Sequence, residues 1–189
     1  YYPVMHHHDK AVFMNTQVPF TELVWAYGTP RETSEQTFRI RHSQNVNRFL
    51  NFGLIFDIIY DLGQYNYQRA VNKDFTLFSS YTGPKYKLYA AGGINNMASW
   101  ENGGIKDVED LKNLDTRDVE VNLGGLNNAQ SNLRNRNLLL VQRYTVGGAA
   151  VKNDSVGSRK KGLSGLSGTF SHILTLDYNR RMYSDENAL

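Results

Sequence analysis

Seven charged residues, Glu22, Arg39, Arg41, Asp57, Lys87, Arg143 and Asp177, each sit beside an apolar or aromatic neighbour. In an extended chain that spacing sends the charge to one face and its neighbour to the other. The chemistry open to such a row is electrostatic. Charges on a wetted wall set an ion preference, or they pair across strands and only hold the wall together. Both readings stand on the sequence, with Arg39 and Arg41, two residues apart, as candidates for a locally positive wall.

Covalent chemistry has much less to work with. The chain has no cysteine, so thiolate nucleophiles, thiolate metal sites and disulfides are excluded. No nucleophile-elbow pattern is present, and His42 and His172 fall on apolar rows near the expected strand ends, where packing outweighs catalysis. The GLSGLSG stretch at 162–168 lacks the Lys-Ser/Thr ending of a phosphate loop and reads as a flexible connection. Asp107, Glu109, Asp110, Asp115 and Asp118 miss the calcium-loop spacing and its central glycine. Three adjacent histidines, His6, His7 and His8, cannot reproduce the spacing of a folded zinc site and read as an exposed polar stretch. The sequon at Asn153 has meaning only in a eukaryotic secretory route. No catalytic residue, metal ligand or cofactor is therefore expected, and the chain does not read as an enzyme.

The elements that must position the charged row are strands. Glu35–Asn45 is the clearest, with Phe38 and Ile40 on one side and Thr37, Arg39, Arg41 and Ser43 on the other. A strand at 19–28 sets Leu23, Trp25 and Tyr27 against Glu22, Val24 and Ala26; one at 50–60 sets Leu50, Phe52, Leu54, Phe56, Ile58 and Tyr60 against Asn51, Gly53, Ile55, Asp57 and Ile59. Further strands are expected at 74–82, 85–95, 135–146 and 169–179, with Gly92 and Gly93 marking a bulge or bend. Tight turns at Asn47 and Gly83 alternate with longer connections. Residues 97–133 lack strand alternation and form the long excursion, with one short helix over 107–114; a lumenal constriction and an external recognition loop are both open to it. The 147–168 link breaks the alternation of short and long, so either a strand is miscounted or one short-side connection is long.

These segments are about as long as a tilted strand needs to cross a bilayer. No run of apolar residues is long enough for a spanning helix, and the mean hydropathy of -0.52 does not exclude a barrel, because half of each strand can face water. Tyr27, Tyr60, Tyr81, Tyr86, Tyr144 and Tyr178 fall at expected strand ends, where an aromatic belt meets lipid headgroups. The net charge of +3 over 189 residues is small and scattered, which argues against a nucleic-acid face. The only basic run, Arg159 to Lys161, lies in the Gly/Ser-rich link and reads as solvated. Tyr1 and Tyr2 open onto no signal-peptide pattern, so the sequence reads as a fragment.

Five phrases in order, PFTEL at 19–23, EQTF at 35–38, HSQN at 42–45, ENGGI at 101–105 and GTFSHIL at 168–174, resemble the N-terminal part of the putative-porin family of Bacteroidetes-type outer membranes. The resemblance implies an outer-membrane β-barrel with no catalytic residues to carry over. The expected fold is all-β, an antiparallel up-and-down meander forming part of a transmembrane β-barrel. Residues 1–18 are an N-terminal extension and 19–189 the barrel segment, with its long loop at 97–133. About seven strands are expected, an odd number too small to close alone, so the complete protein should supply more. The expected function is passive diffusion of small solutes across the outer membrane, with outer-membrane lipid as a partner, no nucleic acid, and room for a homo-oligomer or an outer-membrane complex. The alternatives are a structural or secretion-partner barrel without an open channel and a soluble β-barrel or β-sandwich binding module.

Overall fold

The computed structural model describes residues 5–6, 12–29, 35–116, 118–123, 129–147 and 168–185. Seven strands follow one another: β1 (Phe20–Tyr27), β2 (Glu35–Asn45), β3 (Leu50–Asp61), β4 (Arg69–Thr82), β5 (Tyr86–Glu101), β6 (Ala129–Val146) and β7 (Gly168–Asp185). Each pairs antiparallel with the next, in one open sheet of order β1-β2-β3-β4-β5-β6-β7. Among the described residues the one helix is α1 (Asp110–Asn113), four residues long, between β5 and β6.

The two short turns have local causes. Asn47 accepts backbone hydrogen bonds from Phe49 (2.8 Å) and Leu50 (3.0 Å) through its Oδ1, closing the chain back on itself between β2 and β3. Between β4 and β5 the Gly83 amide donates to the Tyr86 carbonyl at 2.9 Å. The 147–168 link, on the same side of the sheet, lies outside the described residues except at its ends. So do Arg159 to Lys161, Asn153, His7 and His8.

Four expectations on the limits of elements need correction. Residues 97–101 and 129–133 are strand, paired from Met97↔Leu133 to Glu101↔Ala129, so the excursion is confined to 102–128. β4 begins at Arg69, and β7 runs on to Asp185, six residues past the expected end. The short helix spans only Asp110–Asn113. In the added segments asparagine, serine and arginine hide the alternation that a hydrophobic pattern reads, while the neighbouring ladder continues regardless.

Gly92 and Gly93 make no bulge. Both sit in unbroken register with β4 and β6, and a Cβ on Gly93 would stand 3.0 Å from Asn137 Oδ1, so the residue makes room for a close neighbour. Gly53 does this more stringently: any Cβ there would run into the Phe78 ring and the His42 carbonyl. Replacing Gly53 by valine must push Phe78, itself 4% exposed, out of its seat. We expect a loss of about 1–3 kcal/mol, the usual cost of overpacking. Urea titration of the detergent-folded protein, followed by Trp fluorescence, checks this; an unchanged midpoint would show that Phe78 repacks freely.

Register assigns every strand residue to one of two faces, and their polarity is inverted relative to a water-soluble domain. Ser43, Asn51, Asp57, Asn72, Asp74, Asn95 and Asn135 are buried, while Leu23, Trp25, Phe52, Leu77, Leu138 and Leu176 are exposed. Trp25 reaches 75% exposure, whereas Asn95 has none. The packed interior therefore lies on the polar face, and the apolar face has no cover among the described residues.

Candidate functional site

All seven charged candidates lie on the polar face. Glu22 is opposite Arg41 across β1 and β2, and Arg39 is opposite Asp57 across β2 and β3. Arg39 Nε donates to Asp57 Oδ1 at 2.7 Å, and Arg41 Nη1 stands 3.6 Å from Glu22 Oε2. Both arginines thus have acidic partners, which offsets the locally positive wall that the sequence suggested. Lys87 faces Arg143 across β5 and β6 near the short-turn end. Asp177 accepts from Asn135 Nδ2 at 2.6 Å. The structure brings Glu22, Arg39, Arg41 and Asp57 together on β1 to β3. It leaves Lys87, Arg143 and Asp177 apart from them.

The centre of the face is held by residues that a search for charges passes over. Asp57 also meets His6 Nε2 at 2.9 Å, and the His6 carbonyl accepts from Asn95 Nδ2 and Asn137 Nδ2, each at 3.0 Å. Asn95 Nδ2 reaches Asn135 Oδ1 at 2.7 Å, and Asn135 Nδ2 reaches Asn179 Oδ1 at 2.8 Å. Asp74 lies directly opposite Asp57 and accepts from Asn72 at 2.8 Å. Its Oδ1 accepts nothing among the described residues. The available signal was compositional. Asparagine and aspartate are depleted in strands, yet Asn72, Asp74, Asn95, Asn135, Asn137 and Asn179 sit in the middle of them.

His6 therefore belongs to the wall and not to an exposed stretch; its side chain is 27% exposed. The rest of the described N-terminal segment follows it across the sheet. Met5 is buried. Phe13 packs edge-on against Phe78 and Tyr89, with ring centroids 6.3 and 5.2 Å apart. Asn45 Nδ2 donates to Asn15 Oδ1 at 2.8 Å. The described residues of the extension thus touch β2 to β6 on the polar face.

The 102–123 part of the excursion closes on itself instead. Ile105 bridges Val121, Lys106 Nζ donates to Glu120 Oε2 at 3.0 Å, and Val119 is buried. Asn102 donates to the Asn66 carbonyl at 3.3 Å, bracing this loop against the one between β3 and β4.

The opposite face carries the six tyrosines. Tyr81, Tyr86 and Tyr144 gather at the short-turn end, where Tyr81 lies 6.1 Å from both Phe49 and Tyr86. The Tyr86 hydroxyl donates to Gln142 Oε1 at 3.2 Å, so that amide oxygen has a partner on an otherwise apolar surface. Tyr27 and Tyr60 share one cross-strand row at the long-loop end, through Gln36. Tyr178 is not at a strand end, because β7 continues to Asp185. It still marks the limit of the apolar band, with Leu174 and Leu176 below it and Arg180 above. From β1 to β7 that limit slides from the Tyr27 row to the Tyr178 row. This is four residues along the strands, about 14 Å over about 29 Å of sheet width. Tilted strands crossing a layer of fixed thickness produce such a slant.

An antiparallel meander with an apolar, tyrosine-edged outside and a hydrogen-bonded polar inside has the polarity that a sheet facing lipid requires. Sequence comparison agrees: the family described as putative porin matches residues 1–189, the whole chain. The chain belongs to the putative-porin family. No curated protein and no solved structure matches it. Family membership supports a porin-like function in general and suggests the outer membrane as its location. In this putative porin the seven strands form one continuous sheet. Every carboxylate on them, Glu22, Glu35, Asp57, Asp61, Asp74, Glu101, Asp177 and Asp185, falls on the polar face.

Proposed function

We propose that this chain forms part of the wall of an outer-membrane β-barrel through which small solutes diffuse passively, with no catalytic step. The observation that carries the reading is the inverted polarity of the sheet. A soluble β-sandwich or lipocalin-like module would bury the rows containing Leu54, Phe56 and Leu138 and wet those containing Asn95 and Asp57; here the opposite holds. In hydrocarbon the unpaired backbone groups of β1 and β7 would each cost several kcal/mol, so both edges need partners, from further strands of the full-length protein or from a second copy. Outer-membrane lipid and small solutes are the partners in this reading, and no role falls to nucleic acid.

The polar face carries eight strand carboxylates against Arg39, Arg41, Lys87, Arg143 and Arg181. A lumen lined in this way favours cations. The test is planar-bilayer recording of the full-length protein across a salt gradient. Discrete current steps with a cation-selective reversal potential are expected, and Asp74→Asn should move that potential towards zero. Anion selectivity, or a potential indifferent to Asp74, would sink the charge argument. Absence of current from folded, inserted protein would instead favour a structural or secretion-partner barrel. One feature supports that second reading: the N-terminal segment lies across the polar face.

A further inference from the structure

The outward face carries charge of one sign only. Arg69, Lys73, Arg134, Arg136 and Arg180 point outward from β4, β6 and β7, and all are exposed. No strand carboxylate shares that face. Lys73, Asn96, Arg134 and Arg180 form one cross-strand row, with Arg136 two residues from Arg134 on the apolar side. The same row on β1 to β3 holds Trp25, Phe38 and Ile58, so the slant of the strands carries it out of the apolar layer as it turns basic. The cluster lies on the long-loop side, immediately beyond the apolar band. Lys73, Arg134, Arg136 and Arg180 have no acidic partner among the described residues. Arg69 is occupied separately, with its guanidinium 3.9 Å from the Trp100 ring centre. A groove of about 440 Å³ lies over β4 to β6, lined by Lys73, Asn96, Arg134 and Arg136, with Ile94 on the apolar-band side and Trp100 towards the long-loop end.

Like charges placed directly opposite on one face, as Arg134 and Arg180 are, repel one another unless an anion lies between them. Guanidinium pairs hold phosphate oxygens in two-pronged hydrogen bonds. At this height in the membrane the surrounding molecules are lipid headgroups. We propose that Lys73, Arg134, Arg136 and Arg180 form a binding site for a phosphate-bearing lipid headgroup of the outer leaflet, whose acyl chains lie along the apolar band below. This inference rests on the membrane-barrel reading proposed above. It adds to that reading a specific lipid class and a specific side of the wall.

The test uses the full-length protein in phosphatidylcholine nanodiscs doped with either a bis-phosphorylated glycolipid or its dephosphorylated form. Native mass spectrometry after detergent extraction reads the glycolipid retained. The wild type should retain the phosphorylated form at least about tenfold better, since several charge-assisted hydrogen bonds are at stake. The triple variant Lys73→Gln, Arg134→Gln, Arg180→Gln should lose that preference. Arg181→Gln, one residue along β7 but on the polar face, should keep it. Equal retention by wild type and triple variant would overturn the site, as would displacement by millimolar inorganic phosphate regardless of acyl chains. Co-retention of a second copy in place of lipid would overturn it too. Protease protection of the strands in the same discs is scored separately. Protein that inserts without lipid preference refutes this inference alone, whereas protein that fails to insert refutes the barrel reading.

Discussion

Removing residues 1–18 from the full-length protein should raise single-channel conductance several-fold. The segment occupies wall surface that would otherwise be wet: His6 bridges Asp57, Asn95 and Asn137, spanning β3 to β6, and Phe13 covers Phe78 and Tyr89. A pore narrowed by a strap of chain loses conducting cross-section and the hydration of its wall groups. Deletion also exposes the Phe78 ring, so a milder variant is needed beside it. His6→Ala with Phe13→Ala keeps the chain length and removes both anchors, and it should produce more frequent or longer open events. The measurement is planar-bilayer recording at fixed salt, with insertion of each variant verified by heat-dependent gel mobility. If neither variant changes the current, the segment lies over wall that solutes do not use.

The second large effect concerns Arg39. Its partner Asp57 is 2% exposed and lies directly opposite Asp74, so two carboxylates share one spot on the wall. Arg39 and His6 hold Asp57; Asn72 holds Asp74. Taking away the guanidinium leaves those carboxylates facing each other with only His6 and an amide to offset their charge. Breaking a buried pair from one side typically costs about 3–5 kcal/mol, and the 33% exposure of Arg39 places this case at the lower end. We therefore expect Arg39→Met to destabilise by about 3 kcal/mol. Asp57→Asn should cost less, because it also relieves the contact with Asp74. The double variant should recover part of the loss, since no uncompensated charge is left at position 57. Urea midpoints read from the fluorescence of Trp25 and Trp100, both on the apolar face, give the cycle directly. Strict additivity of the two single changes would mean that the pair is not energetically coupled.

The sequence by itself determined that the chain is a meander of strands and which face each residue of the expected strands joins. Alternation has a period of two and is local, so Phe38 against Arg39, or Leu176 against Asp177, declares its side without knowledge of any partner. It determined the tight turns as well, because Asn47 and Gly83 act through bonds to residues two or three places away. All seven charged candidates and all six tyrosines were legible in this way as members of opposite faces. What the tertiary structure decided is everything that depends on long-range register. That arginines 39 and 41 are each matched to an acid follows from the pairing of β1, β2 and β3. That residues 97–101 and 129–133 are strand follows from the ladder extending beyond the hydrophobic pattern. The binding of His6 to groups 51 to 131 residues away, and the basic row that leaves the apolar layer at β4, exist only once tilted strands are laid side by side. Periodicity is a property of neighbours in the chain, whereas charge matching, lumenal cover and height in the membrane are properties of neighbours in space.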